Sequence, residues 1–168
     1  MKAIIFDFGN VVAFFDHRPA FKKLSPFTSM SVDAMFESVY TTPLEDRFER
    51  GLIDAAEFLE QAQAMWQLRC EAEFIERTLC DIFTANPEVC DLIPKLKGRY
   101  RIVLGSNTNA IHSRQFLAQF ADVLSHFDHL VLSHAIKARK PEAAFYEHCR
   151  RMADAPRRRL RCAPRVSA

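Results

Sequence analysis

Apolar and polar positions change their period along this chain. Residues 2–8, Lys-Ala-Ile-Ile-Phe-Asp-Phe, form a short apolar run that ends at Gly9-Asn10, a turn signal. They predict a buried strand with a carboxylate, Asp7, at its end. From about Phe14 to Asn86 the spacing becomes helical. Ser31 is a candidate N-cap for a helix over 31–39. Between Asp54 and Leu68, residues Phe58, Leu59, Ala62, Met65 and Trp66 recur at three- and four-residue steps, and Gly51 marks the break before them. That stripe predicts an amphipathic helix. Residues 71–83 predict another, with Phe74, Ile75, Leu79, Ile82 and Phe83 on one side. No strand is predicted between 14 and 86, which reads as an all-helical insert.

At Pro87 the elements begin to alternate. Asn86 is a candidate cap and Pro87 suits a first helical turn. Val89, Leu92, Ile93 and Leu96 give the inner face, Pro94 predicts a kink, and Gly98 ends the helix. Residues 100–104, Tyr-Arg-Ile-Val-Leu, predict a second strand leading into Gly105-Ser106-Asn107-Thr108-Asn109. A helix over 110–120, a third strand over 127–132 and a last helix over 142–152 follow. Such alternation predicts an α/β fold, a Rossmann-like parallel sheet with right-handed crossovers and a helical cap inserted after strand 1. The expected division is a core over 1–13 and 87–153, a cap over 14–86 and a basic irregular tail over 154–168.

Composition narrows the class. The 168 residues are 49% hydrophobic and 26% charged, ordinary for one soluble domain. Fifteen Phe against three Tyr and one Trp favour apolar packing over base-stacking surfaces. From Arg150 onward there are seven Arg and one Asp, which leaves the rest of the chain at −4 against a total of +2. A mildly acidic body does not read as a nucleic-acid partner. Cysteines at 70, 80, 90, 149 and 162 form no C-x-x-C pair, and their odd number suggests reduced thiols in a cytoplasm. The opening Met-Lys-Ala-Ile-Ile-Phe-Asp is a poor secretory signal, and no apolar run approaches the ~18 residues of a membrane span.

Three polar groups stand after three predicted elements: Asp7, Ser106 and Lys140. Taken singly, each has a bland role as turn residue, helix cap or helix start. Taken together they sit where parallel sheets bind ligands, at the carboxyl ends of strands. A carboxylate, a hydroxyl and an ammonium in one crevice suit a phosphoester. The carboxylate attacks phosphorus, the hydroxyl holds an oxygen, and the ammonium offsets charge.

Phe6-Asp7-Phe8-Gly9-Asn10-Val11-Val12 resembles motif one of the haloacid dehalogenase superfamily, Ser106-Asn107-Thr108-Asn109 motif two, and Arg139-Lys140-Pro141-Glu142 motif three. Phe48-Glu49-Arg50-Gly51-Leu52-Ile53 is similar to the small helical cap of its sugar-phosphate phosphatases. The whole is similar to the bacterial α-D-glucose-1-phosphate phosphatase-like group. That resemblance implies an aspartyl-phosphate mechanism on a small phosphorylated metabolite, with Asp7 as nucleophile and Lys140 stabilising it. Ser106 and Asn107 would contact the phosphate. Asp7 and the carbonyl of Gly9 would hold Mg²⁺, and the cap would close over the site and choose the substrate.

Two departures matter. Most family phosphatases carry a second Asp where this chain has Gly9, to protonate the leaving oxygen. The named group shares the glycine. Asp16 and His17 are substitutes on paper, with an ordinary loop role the preferred reading. After motif three the family pattern continues into a fourth strand ending in an acidic pair. Here no Asp or Glu follows Asp154, and the Arg-, Ala- and Pro-rich tail suggests a shifted reading frame. The expected consequences are a core without its fourth strand, an open apolar edge on strand 1 inviting self-association, weak Mg²⁺ binding and impaired activity. Two other functions remain: a 2-haloacid dehalogenase, with Arg18 as its only early arginine candidate, and a non-catalytic interaction remnant. His112 is placed to face the site, while His126, His129 and His148 read as packing or surface groups.

Overall fold

The computed structural model describes residues 2–154 and the backbone of residues 160–162. Four parallel strands form the central sheet: β1 (Ala3–Phe6), β4 (Arg101–Ser106), β5 (His129–Leu132) and β6 (Leu160–Cys162), in the order β5-β4-β1-β6. Register runs Ala3 with Arg101 through Phe6 with Leu104, and Val103 with His129 through Ser106 with Leu132. Residues 102–106 are buried throughout, as a central parallel strand with both faces covered requires. Side chains alternate between two cores. Ile102 and Leu104 join Phe6, Phe8, Phe116 and Phe127 on one face, while Val103 joins Ile5, Val131, Phe145 and Cys149 on the other. The first core is supplied by α6 (Pro87–Leu96), α7 (Ala110–Gln119) and α8 (Ala121–Leu124), the second mainly by α10 (Ala143–Met152). A short helix, α9 (Ser133–Ile136), follows β5.

Strand β6 revises the expected open edge. It pairs with β1 in parallel, Ala3 with Leu160 through Ile5 with Cys162. Part of the tail expected to be irregular is therefore a strand. Ladder bonds are made by the main chain, so an arginine-rich segment with no apolar period can complete a sheet. The reading-frame expectation concerns residues 155–159 and 163–168 as well, and these lie outside the described residues.

The insert is helical with one exception. It contains α1 (Arg18–Leu24), α2 (Val32–Thr41), α3 (Pro43–Glu49), α4 (Ala55–Met65) and α5 (Ala72–Cys80). At its base β2 (Ala13–Phe15) pairs antiparallel with β3 (Phe83–Ala85), two strands that the helical spacing did not predict. Ser31 caps α2 as expected, its hydroxyl accepting from the Ala34 amide at 3.1 Å, and Asp54 caps α4. Asn86 does not cap α6. Its amide donates to the Val11 carbonyl at 2.9 Å and ties the insert's exit to its entrance. The insert has its own core, in which Phe48 stacks on Phe58 at 4.2 Å between centroids, and the Trp66 indole N–H donates to Ser38 Oγ. Trp66 is 2% exposed, so the Met65-Trp66 stripe is packing, as the spacing suggested. Among the described residues no helix is long and apolar enough to cross a membrane.

Candidate active site

The carboxyl ends of β1 and β4 open into a cleft of about 610 Å³, lined among others by Asp7, Gly9, Asn107, Lys140, Arg139 and Glu49. Asp7 follows the last residue of β1. Its Oδ1 accepts from the Phe8 amide at 2.8 Å, which leaves Oδ2 facing the Lys140 ammonium at 2.7 Å. Lys140 Nζ also donates to the Gly105 carbonyl at 3.0 Å and lies 5.8 Å over the Phe145 ring. A single cation is thus held between a strand-end carbonyl and the nucleophile candidate.

Asn107 lines the cleft and Ser106 does not. Asn107 clamps the Lys140 backbone at both ends: its Oδ1 accepts from the Lys140 amide at 2.8 Å and its Nδ2 donates to the Lys140 carbonyl at 3.1 Å. It lines the cleft and fixes where Lys140 stands. Ser106 is 2% exposed, with its hydroxyl donating to the Asn107 carbonyl at 3.2 Å, so it sits behind the cleft wall. The next turn is braced by Ser133, which donates to the Thr108 carbonyl and accepts from the Thr108 amide. No sequence pattern pointed to Ser133, because its partner is 25 residues away on another strand end.

Gly9 carries no side chain and has little room for one. A Cβ there would stand 2.8 Å from Cε1 of Phe15, so the exposed aromatic ring would have to shift to admit a side chain at position 9. Asp16 is exposed and its Oδ1 accepts from the Arg18 amide at 2.9 Å, a loop role. His17 faces away from the cleft, into a small cavity between insert and core that it shares with Glu45, Asn109 and His112. Neither is among the residues that line the cleft. His112 borders that second cavity also, not the cleft.

The second cavity has its own electrostatics. Asn109 Nδ2 donates to Glu45 Oε1 at 3.1 Å and stands 3.1 Å from His112 Nδ1, while its Oδ1 caps α7 by accepting from the His112 amide. Burial, helped by the neighbouring charge of Glu49, pushes the Glu45 carboxyl up to about 7. Burial, with His17 beside it, pushes His112 down to about 3 and keeps it neutral.

Charged groups tie insert to core. Arg139, next to Lys140, pairs with Asp46 at 2.6 Å and Glu49 at 2.7 Å on α3. In return Arg50 of the insert pairs with Glu142 at the start of α10. Gly51 follows at φ +62°, where a Cβ would lie 2.2 Å from the His134 carbonyl oxygen, so backbone meets backbone across the seam. Arg18, by contrast, pairs with Asp33 at 2.7 Å on the surface and is not part of the cleft.

Among the described residues no group of three His, Cys, Asp or Glu side chains is arranged to hold a metal. Asp7 offers one carboxylate at the cleft, with Gly9 beside it. Mg²⁺ is commonly held by one or two carboxylates plus phosphate oxygens and water. The residues therefore fit an ion that arrives with a phosphate better than an all-protein cage.

A family model for haloacid dehalogenase-like hydrolases matches residues 1–160. Among solved structures, a HAD family enzyme from Bacteroides thetaiotaomicron is 22% identical, covers 96% of this chain and 83% of its own, and superposes at a TM-score of 0.85. The same enzyme in complex with magnesium and inorganic phosphate superposes at 0.82 with 22% identity and the same coverage. The L-2-haloacid dehalogenase from Xanthobacter autotrophicus is 15% identical over 96% of this chain and 69% of its own, at 0.67. At these identities the structural matches speak for the fold alone.

Proposed function

The chain belongs to the haloacid dehalogenase-like hydrolase family, and on that premise we propose that it is a phosphomonoesterase acting on a small sugar-phosphate-like metabolite. The observation that carries the reading is the 2.7 Å approach of Lys140 Nζ to Asp7 Oδ2 at the mouth of the cleft. A carboxylate with one oxygen tethered by an amide and the other beside an ammonium is oriented for in-line attack. Asp7 would form a P–O bond to the substrate as the bond to the leaving oxygen breaks. Lys140 and Arg139 offset charge on the phosphoryl oxygens, which is where most of the rate is gained in phosphoryl transfer. Mg²⁺, held by Asp7 and the Gly9 carbonyl, would add further positive charge there. Water then attacks the aspartyl phosphate and restores Asp7.

The dehalogenase reading finds no support in the cleft. Its arginine candidate, Arg18, is engaged on the surface, and the cleft walls carry Arg139, Lys140 and Glu49, a polar lining suited to a charged ester. The reading is tested by Mg²⁺-dependent hydrolysis of p-nitrophenyl phosphate and a panel of sugar phosphates. We expect turnover that Asp7→Asn abolishes. Turnover of 2-chloropropionate, with none of phosphate esters, would replace the reading with the dehalogenase one.

A further inference from the structure

The phosphatase reading leaves the leaving oxygen without a proton donor, since Gly9 has no side chain. The described cleft contains one other carboxyl besides Asp7. Glu49, at the end of α3, lines the same cleft, and its side chain is 16% exposed. Its Oε2 is buried without a hydrogen-bond donor: Arg139 Nη2 stands 2.7 Å away as an ion pair whose angles do not make a hydrogen bond. Resting on that reading, we propose that Glu49, carried on the insert, is the catalytic acid and base of this enzyme. The Glu49 carboxyl gives its proton to the bridging oxygen as that oxygen leaves phosphorus and Asp7 bonds to it. The resulting carboxylate then takes a proton from the water that attacks the aspartyl phosphate, so that alcohol and phosphate depart and both carboxyls return to their starting forms.

The surroundings suit the role. Burial raises the Glu49 carboxyl, as do the charges of Asp46 on its own helix and Asp7 across the cleft; Arg139 and Lys140 act the other way, and the net direction is upward. Glu45 and Tyr40 also feel its charge. That direction favours the protonated form relative to an exposed glutamate, which is what a proton donor requires. The position also couples chemistry to the insert. The same side chain that donates the proton is anchored by Arg139, the neighbour of Lys140, so an insert docked on the core completes the catalytic set.

The test compares leaving groups in the full chain. Glu49→Gln keeps size and polarity, and Arg139 retains Asp46. For a sugar or alkyl phosphate, whose alkoxide cannot leave unprotonated, kcat/KM should fall about 10²–10⁴-fold. For p-nitrophenyl phosphate, whose leaving group needs no proton, kcat/KM should fall less than about tenfold, with a burst of nitrophenolate before slow turnover. Equal losses on both substrates without a burst, or an unchanged kcat/KM on the sugar phosphate, would overturn the inference while Asp7-dependent turnover upheld the phosphatase reading. No hydrolysis of any phosphate ester by the wild-type chain would overturn both. Should Glu49→Gln fail to fold, a carbon-13 NMR titration of the wild-type protein decides. A Glu49 carboxyl titrating at or below the ordinary carboxylate range removes the proposal.

Discussion

Lys140 offers one ammonium to two acceptors, Asp7 Oδ2 and the Gly105 carbonyl, 2.7 and 3.0 Å away. That spacing suits a compact cation and not a planar fork, so Lys140→Arg should not rescue what Lys140→Ala loses. We expect kcat to drop at least about 10²-fold in both, measured by steady-state hydrolysis. Glu45 supplies a pH prediction. Its folded carboxyl lies near 7 against an ordinary 4.5, so the folded state holds a proton that the unfolded state has released. The stabilisation is present in full below about pH 4.5 and is lost as pH rises toward 7. His112 works in the opposite sense, stabilising the fold above its ordinary 6.5 and less so as pH falls toward 3. Comparing wild type with Glu45→Gln isolates the first effect. The variant should match wild type near pH 4.5 and exceed it above pH 7 by about 3 kcal/mol in denaturant melts. Equal profiles for the two proteins would refute this assignment.

At the level of elements, what the sequence disclosed followed from local rules, and what it hid followed from distant ones. Asp7, Asn107 and Lys140 converge because each ends or follows a strand whose apolar run is plain in the chain. The six long helices of the insert and core were legible through capping residues and three- to four-residue apolar steps, give or take three residues at each end. Strands β2 and β3 were not, since three residues each give no period to read, and Phe14, Thr84 and Ala85 are exposed. The roles of Glu49, Arg139 and Ser133 depend on pairings across the fold, which spacing along the chain does not encode. Gly51 is the element-scale test. Gly51→Ala meets both a positive φ and the His134 carbonyl, so it should cost at least about 2 kcal/mol in thermal or denaturant unfolding and raise proteolysis of the insert. The half-exposed pairs around it, Arg47 with Glu57 for example, should cost less than about 1 kcal/mol each when broken.

For the whole molecule, β6 decides whether β1 lies at the edge of the sheet. Its three residues cover the flank of β1 that the apolar pattern left open. Deleting 155–168 should expose that flank, and light scattering should then show association that the full chain lacks. A monodisperse shortened chain would mean that something other than β6 guards the edge. The insert presents another whole-molecule property. Ala13 pairs with Ala85 and Phe15 with Phe83, so sixty-seven intervening residues leave the core and return to it at neighbouring points. Adjacent rungs of a ladder stand about 5 Å apart, a gap that a tight turn can close. The insert is in this respect a cassette on a fixed mount. A change inside the cassette therefore need not re-register the sheet beneath, and under the function proposed above it would alter what reaches Asp7 without moving Asp7 itself.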